Sequence, residues 1–359
     1  MTAPRLGHFI DVEGRVAHLH VIGQGGTPVL LLHGCGSLAE EILPPFEPLA
    51  RRGYLLIAPD RPGYGYSEPL PDGREGADRQ AAWLAGLLDR LRLETVIVAA
   101  HSLGAGPALC LEATAPERVA GLVLLAGFCR PTPHAALPML RAAVAPLVGP
   151  FIRKSVIPAV APALGPRLLA AALKPHAVPD YFAGFPYLHA GRSRAVLTMA
   201  AELRAFNDCL EAAAPGLAGR SVAAEILHGS LDGVADPDWH LPWVAGLLPR
   251  ADVRVYPDVG HALHHGRPHE ARAAVDRLAA RLRARSRRLG RDRPACPPSF
   301  GVARSGALRT VSPHGRRPTG PDRQKSEAGE WNERTAASSS VDPDSVGTAD
   351  RPPETRYGV

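Results

Sequence analysis

The stretch Val96-Ile97-Val98-Ala99-Ala100-His101-Ser102-Leu103-Gly104-Ala105-Gly106-Pro107-Ala108 constrains the fold more than any other part of the chain. An apolar, β-branched run ends abruptly, and small residues that suit a helix start follow His-Ser-Leu-Gly. This pattern predicts a buried strand, a very tight turn and a helix. Such a turn lifts the Ser102 hydroxyl above a sheet and sets backbone N–H groups of the helix start beside it. Small neighbours are needed because strand and helix approach closely there.

The rest of the chain builds a sheet around that strand. Alternation around Gly14 predicts a hairpin of residues 9–12 and 16–21. Short apolar strands follow at residues 28–32, 54–58, 121–126, 221–227 and 251–256. Between them, residues 40–51, 76–92, 239–248 and 270–288 read as helices. This alternation predicts the α/β class, with a mainly parallel sheet covered on both faces. Residues 130–214 break the rhythm; they are rich in Pro, Ala and Leu and helical in character. From residue 290 onward, Pro, Gly, Ser, Arg and acidic residues follow no period, which predicts a disordered tail.

Ala100-His101-Ser102-Leu103-Gly104 resembles the nucleophile elbow of the α/β-hydrolase family, with Ala100 where the family usually has glycine. Three other segments extend the resemblance. His33-Gly34-Cys35-Gly36 follows an apolar strand, like the family's His-Gly loop. Gly229-Ser230-Leu231-Asp232 is similar to the loop carrying the acid, and Gly260-His261 to the pair carrying the base. Asp236 remains a rival for the acid. The order Ser102, Asp232, His261 is the order expected for this fold. The resemblance implies an α/β-hydrolase core over residues 1–129 and 215–289, with an inserted helical cap over 130–214. It also implies that Cys35 and Leu103 offer backbone N–H groups as an oxyanion hole. The segment Asp60-Arg61-Pro62-Gly63-Tyr64-Gly65-Tyr66-Ser67 looks like a structural loop near the site mouth, braced by Asp60 and Arg61.

Those roles imply acyl transfer to water. Ser102 attacks a carbonyl, His261 takes its proton, Asp232 orients His261, and two backbone donors meet the oxyanion. No organic cofactor and no metal is required. A serine at the elbow argues against the aspartate chemistry of haloalkane dehalogenases and epoxide hydrolases of this fold. The expected substrate is a small, largely apolar carboxylic ester or lactone. Hydrolysis of a carbon–carbon bond beside a ketone, in a diketone-type substrate, is the alternative with the same triad. Perhydrolysis or haloperoxidase-type activity, and ligand binding without catalysis, are further readings. His264, His265 and His269 follow no His-Glu-x-x-His pattern and are expected at the surface or pocket rim.

Composition excludes several other classes. The formal net charge of +6 comes with arginines crowded late in the chain, unaccompanied by a zinc-finger or RNA-binding motif. No specific nucleic-acid partner is therefore expected, while weak contact with a membrane surface stays open. Five cysteines without a Cys-x-x-Cys pair argue against a disulfide framework and fit a reducing, cytoplasmic setting. The N-terminus lacks a signal-peptide pattern. The most apolar stretch, residues 156–173, is interrupted by Pro158, Pro162, Pro166 and Arg167, so no transmembrane segment is expected.

Overall fold

The computed structural model describes residues 6–134 and 137–288. The expected tail over residues 290–359 lies outside the described residues. Eight strands form one sheet: β1 (His8–Val12), β2 (Arg15–Ile22), β3 (Thr27–Leu32), β4 (Tyr54–Pro59), β5 (Val96–His101), β6 (Val119–Leu125), β7 (Ala223–Gly229) and β8 (Ala251–Tyr256). Their order is β1-β2-β4-β3-β5-β6-β7-β8. The β1–β2 and β2–β4 pairs are antiparallel, and every later pair is parallel. The strand that ends at the elbow lies near the middle of the sheet.

Strand alternation divides the core in two. Val96, Val98 and Ala100 of β5 join one apolar cluster, with the helices Ala77–Arg90 and Ala105–Thr114 and part of Ser193–Leu217. Ile97 and Ala99 point the other way, into a cluster closed by the helix Pro268–Arg288. Successive side chains of a strand face opposite sides, so a continuous apolar run is what a sheet covered on both faces requires. The helix Pro268–Arg288 buries Ala271, Val275 and Leu278, and its arginines lie toward solvent or pair with Glu225 and Asp252.

Several local details depart from the expectations. Residues 40–51 do not form one helix. A short helix, Ala39–Ile42, is followed by a 3₁₀ segment, Glu47–Arg52, because Pro44 and Pro45 interrupt the hydrogen-bond ladder. Between β6 and β7 the described chain is helical, and its last helix runs Ser193–Leu217. Leu210, Ala213 and Leu217 are buried, so tertiary packing carries the helix through Pro215. The helix Gly149–Leu173 is long and apolar enough to cross a membrane by length and composition, with a mean hydropathy of 1.6. Pro158, Pro162 and Pro166 sit within this continuous helix, which passes through a π-helical turn at Ile152–Val156.

Candidate active site

The functional side chains stand at the C-terminal ends of parallel strands, where an α/β sheet leaves room above its edge. β5 delivers Ser102 into a strained turn, with φ of 54° at Ser102 itself. A non-glycine residue persists in this conformation only when its surroundings hold it there. The Phe128 N–H donates to the Ser102 carbonyl at 3.1 Å and pins the turn. A Cβ at Gly104 would meet the carbonyl oxygen of His33 at 2.7 Å, so the elbow helix can start only with glycine there.

Ser102, His261 and Asp232 form one chain of hydrogen bonds. His261 Nε2 lies 2.9 Å from Ser102 Oγ, and His261 Nδ1 lies 2.9 Å from Asp232 Oδ2. Asp232 Oδ1 accepts the backbone N–H groups of Val234 and Ala235, both at 2.9 Å. Burial alone would raise the Asp232 pKa. Hydrogen bonds from His228, His261 and the Ala235 N–H outweigh it and hold the carboxyl well below the usual carboxylate range. An ionised Asp232 fixes the tautomer that leaves His261 Nε2 free to accept the Ser102 proton. Asp236 is elsewhere employed: its carboxylate caps the helix Pro237–Leu247 by accepting the Asp238 N–H at 2.9 Å.

The loop after β3 runs against the nucleophile. A Cβ on Gly34 would lie 3.1 Å from Ser102 Cβ and 3.6 Å from its Oγ. Cys35 follows directly, its Sγ 3.6 Å from the Tyr64 hydroxyl. Burial raises the Cys35 thiol to about 12, so it remains neutral. His33 is also neutral, because burial and the Arg61 charge pull it down to about 4. Its Nδ1–H donates to the Gly34 carbonyl at 2.8 Å, and its Nε2 accepts the Arg61 backbone N–H at 2.9 Å.

Two groups of buried charge around the site bring in partners, Glu202 and Glu41, that sequence reasoning did not single out. The first joins core to cap. Arg61 Nε donates to the His33 carbonyl at 2.9 Å, while its guanidinium pairs with Glu202 of the helix Ser193–Leu217. Tyr64 and Gln80 also donate to the Glu202 carboxylate, at 2.6 and 3.3 Å. The sequence signal that points to it is a Glu placed four residues from both Thr198 and Phe206, on the helix face those two residues share. The second corrects an expectation. His264 and His265 are buried and not at a surface or rim; each places Nε2 2.8 Å from Glu41 Oε1. His269 stays exposed, its side chain 84% accessible. The ligand-type atoms of Glu41, His264 and His265 lie within 4.8 Å of one another. As they stand, two N–H donors satisfy one carboxylate oxygen, and Tyr181 Oη meets His265 Nδ1 at 2.7 Å.

Residues 27–268 match the family model for the alpha/beta hydrolase fold. The chain belongs to that family. Its sheet order, its Ser102–His261–Asp232 geometry and its helical segment between β6 and β7 accord with that fold. Among curated proteins it is similar to a 2-hydroxy-6-oxononadienedioate/2-hydroxy-6-oxononatrienedioate hydrolase of Pseudomonas putida, 36% identical over 113 residues, which are 31% of this chain and 40% of that protein. It is likewise similar to a 2-hydroxymuconate semialdehyde hydrolase of Pseudomonas putida, 36% identical over 129 residues, covering 34% of this chain and 44% of the relative. The matched part thus spans less than half the length of either relative. Among solved structures, a 2-hydroxy-6-oxo-6-phenylhexa-2,4-dienoate hydrolase from a Rhodococcus strain superposes with a TM-score of 0.62 at 18% identity, covering 78% of this chain and 100% of that one. That likeness concerns the fold.

Proposed function

We propose that this hydrolase cleaves a carbon–carbon bond next to a ketone, in a vinylogous diketone-type substrate that carries a carboxylate. The observation that carries this reading is the run of curated relatives whose names describe such hydrolases. The sequence alone favoured an ester or lactone, and the two reactions share a triad. Relatives, rather than the triad, tip the choice toward carbon–carbon hydrolysis.

A second observation bears on the carboxylate. Arg192 Nε and Nη2 and Arg194 Nε are buried and have no hydrogen-bond partner among the described residues. Burial, and the charge of Arg194 beside it, lower Arg192 to about 10. Arg192 caps the helix that also carries Met199, and a Cβ on Gly36 would meet the Met199 sulfur at 2.9 Å. Two helical turns, about 10 Å, separate the two residues along the axis. An anionic group on the substrate would satisfy these donors and lie within reach of the Cys35 loop.

The steps follow from the geometry. His261 Nε2 accepts the Ser102 proton as Oγ attacks the ketone carbon. Backbone N–H groups of Cys35 and Leu103 are assigned to the oxyanion. Collapse of the tetrahedral species breaks the carbon–carbon bond, and protonated His261 delivers its proton to the departing carbon. Water, deprotonated by His261, then releases the acyl group from Ser102. Asp232 stays ionised throughout and holds the ring.

The test is a direct comparison of purified protein on a 2-hydroxy-6-oxo-dienoate and on p-nitrophenyl esters of increasing chain length. A kcat/KM for the dienoate at least tenfold above that for the best ester supports the proposal. The reverse ranking assigns an esterase.

A further inference from the structure

We propose that the outer face of the helix Gly149–Leu173 docks the protein on an anionic lipid surface. The inference does not depend on which bond the enzyme hydrolyses. Val156, Val160, Leu164 and Leu168 recur every four residues, which places them in one stripe along the helix, and all four are exposed. Leu147, 93% exposed, and Phe151, 66% exposed, extend the stripe at its start. Contiguous apolar surface of this extent on a soluble domain marks an interaction site.

Charge identifies the occupant. No Asp or Glu stands between Glu117 and Asp180. Lys154 and Arg167 on this helix and Lys174 just past its end are exposed, and among the described residues none of them pairs with an acidic group. An exposed apolar stripe accompanied by cations and by no nearby acidic residue in the chain suits the surface of an anionic bilayer, which takes up apolar side chains and attracts positive charge. A second copy of the chain fits poorly. A two-fold contact would set the same cations against each other.

The helix lies on such a surface rather than crossing it, because its end is bound into the hydrolase. The Ala172 carbonyl accepts the Ala262 N–H at 2.9 Å. A Cβ on Gly260 would lie 2.6 Å from the Lys174 carbonyl oxygen. At the other end, Arg153 Nε donates to Ser193 Oγ at 3.1 Å. Gly260 and Ala262 flank His261, so the docking helix and the loop of the candidate base share a seam. A docked cap would thus face the bilayer with the site directly behind it.

Co-sedimentation of the full chain with sucrose-loaded vesicles at low salt tests the proposal. Vesicles of phosphatidylcholine alone are compared with an equal mixture of phosphatidylcholine and phosphatidylglycerol. The mixed vesicles should bind the protein about tenfold more strongly than the neutral ones. Leu164→Asp/Leu168→Asp should lower that binding about tenfold, and Lys154→Glu/Arg167→Glu should lower it comparably. Both variants should keep the wild-type melting temperature and hydrolysis of a soluble p-nitrophenyl ester. No association of the wild type with the mixed vesicles overturns the proposal. Full association of the Leu164→Asp/Leu168→Asp variant overturns it too, assigning binding to the late arginines. A wild-type dimer that this variant makes monomeric, with no vesicle binding, gives the face to a second copy.

Discussion

Tyr64 Oη donates to Glu202 Oε2 at 2.6 Å, joining the loop after β4 to a helix that crosses above it. The same carboxylate pairs with Arg61, whose Nε holds the carbonyl of His33 at the start of the Cys35 loop. One buried charge pair therefore connects the long helix to the loop assigned to the oxyanion. Taking two ions out of water is costly, and the pair persists because further hydrogen bonds satisfy it.

Glu202→Gln should expose that cost. Arg61 would be left fully buried without a counter-charge, and such a loss typically removes about 3–5 kcal/mol. Urea unfolding followed by circular dichroism measures it. Because the Cys35 loop hangs on Arg61, kcat should fall while KM changes less. A variant as stable as the wild type would show that Gln80 and Tyr64 suffice to hold Arg61.

Ser102→Ala and His261→Ala should abolish labelling by a fluorophosphonate probe. Asp232→Asn keeps the shape of the triad but loses the charge that selects the His261 tautomer, and should lower kcat about 10⁴-fold. Asp236→Asn keeps the helix cap and should leave kcat within about twofold. Unchanged labelling of Ser102→Ala would reject the site.

Thiol chemistry should not touch the reaction. Burial raises Cys35 and Cys129 to about 12, so neither is a thiolate at pH 8. Iodoacetamide at that pH should leave activity intact, whereas a fluorophosphonate removes it. Rapid inactivation by iodoacetamide would place a reactive thiol at the site.

Acid stability should depend on Asp60. Burial would raise its pKa, but the hydrogen bonds it accepts from His18 and the Ala39 N–H outweigh burial and lower it from 3.8 to about 2. A depressed carboxyl pKa stabilises the fold fully above 3.8 and loses that contribution as pH falls toward 2. The stability gap between wild type and Asp60→Asn should therefore be constant above about pH 5 and shrink between pH 4 and 2. Melting curves across that range measure it.

Arg192→Leu or Arg194→Leu should raise KM for a carboxylate-bearing dienoate about tenfold or more, because an ion-paired hydrogen bond is lost. For a neutral ester, KM should stay within about twofold. Equal effects on both substrates would remove these arginines from substrate recognition.

The elbow was legible because chemistry and backbone coincide there. Ser102 must sit at a positive φ between a buried strand and a close-packed helix, and few residue patterns allow that. Asp232 and His261 were legible for a related reason: each follows a strand and stands on a glycine-containing loop. The burial of His264 and His265 was not. Their partner Glu41 lies more than two hundred residues away in the chain, and nothing local to them announces it.

What the sequence by itself determined is the periodic part: which runs become strands, which faces are apolar, and where the sheet must turn. Those properties are set by neighbours a few residues apart, so they are written locally. Only the tertiary structure decided which charges meet across long separations. Arg61 with Glu202, Glu41 with His264 and His265, and the Ala172 carbonyl with Ala262 are products of packing. A buried ion finds its partner through the fold, because desolvation makes it costly to leave unpaired and nothing in its own segment can pair it.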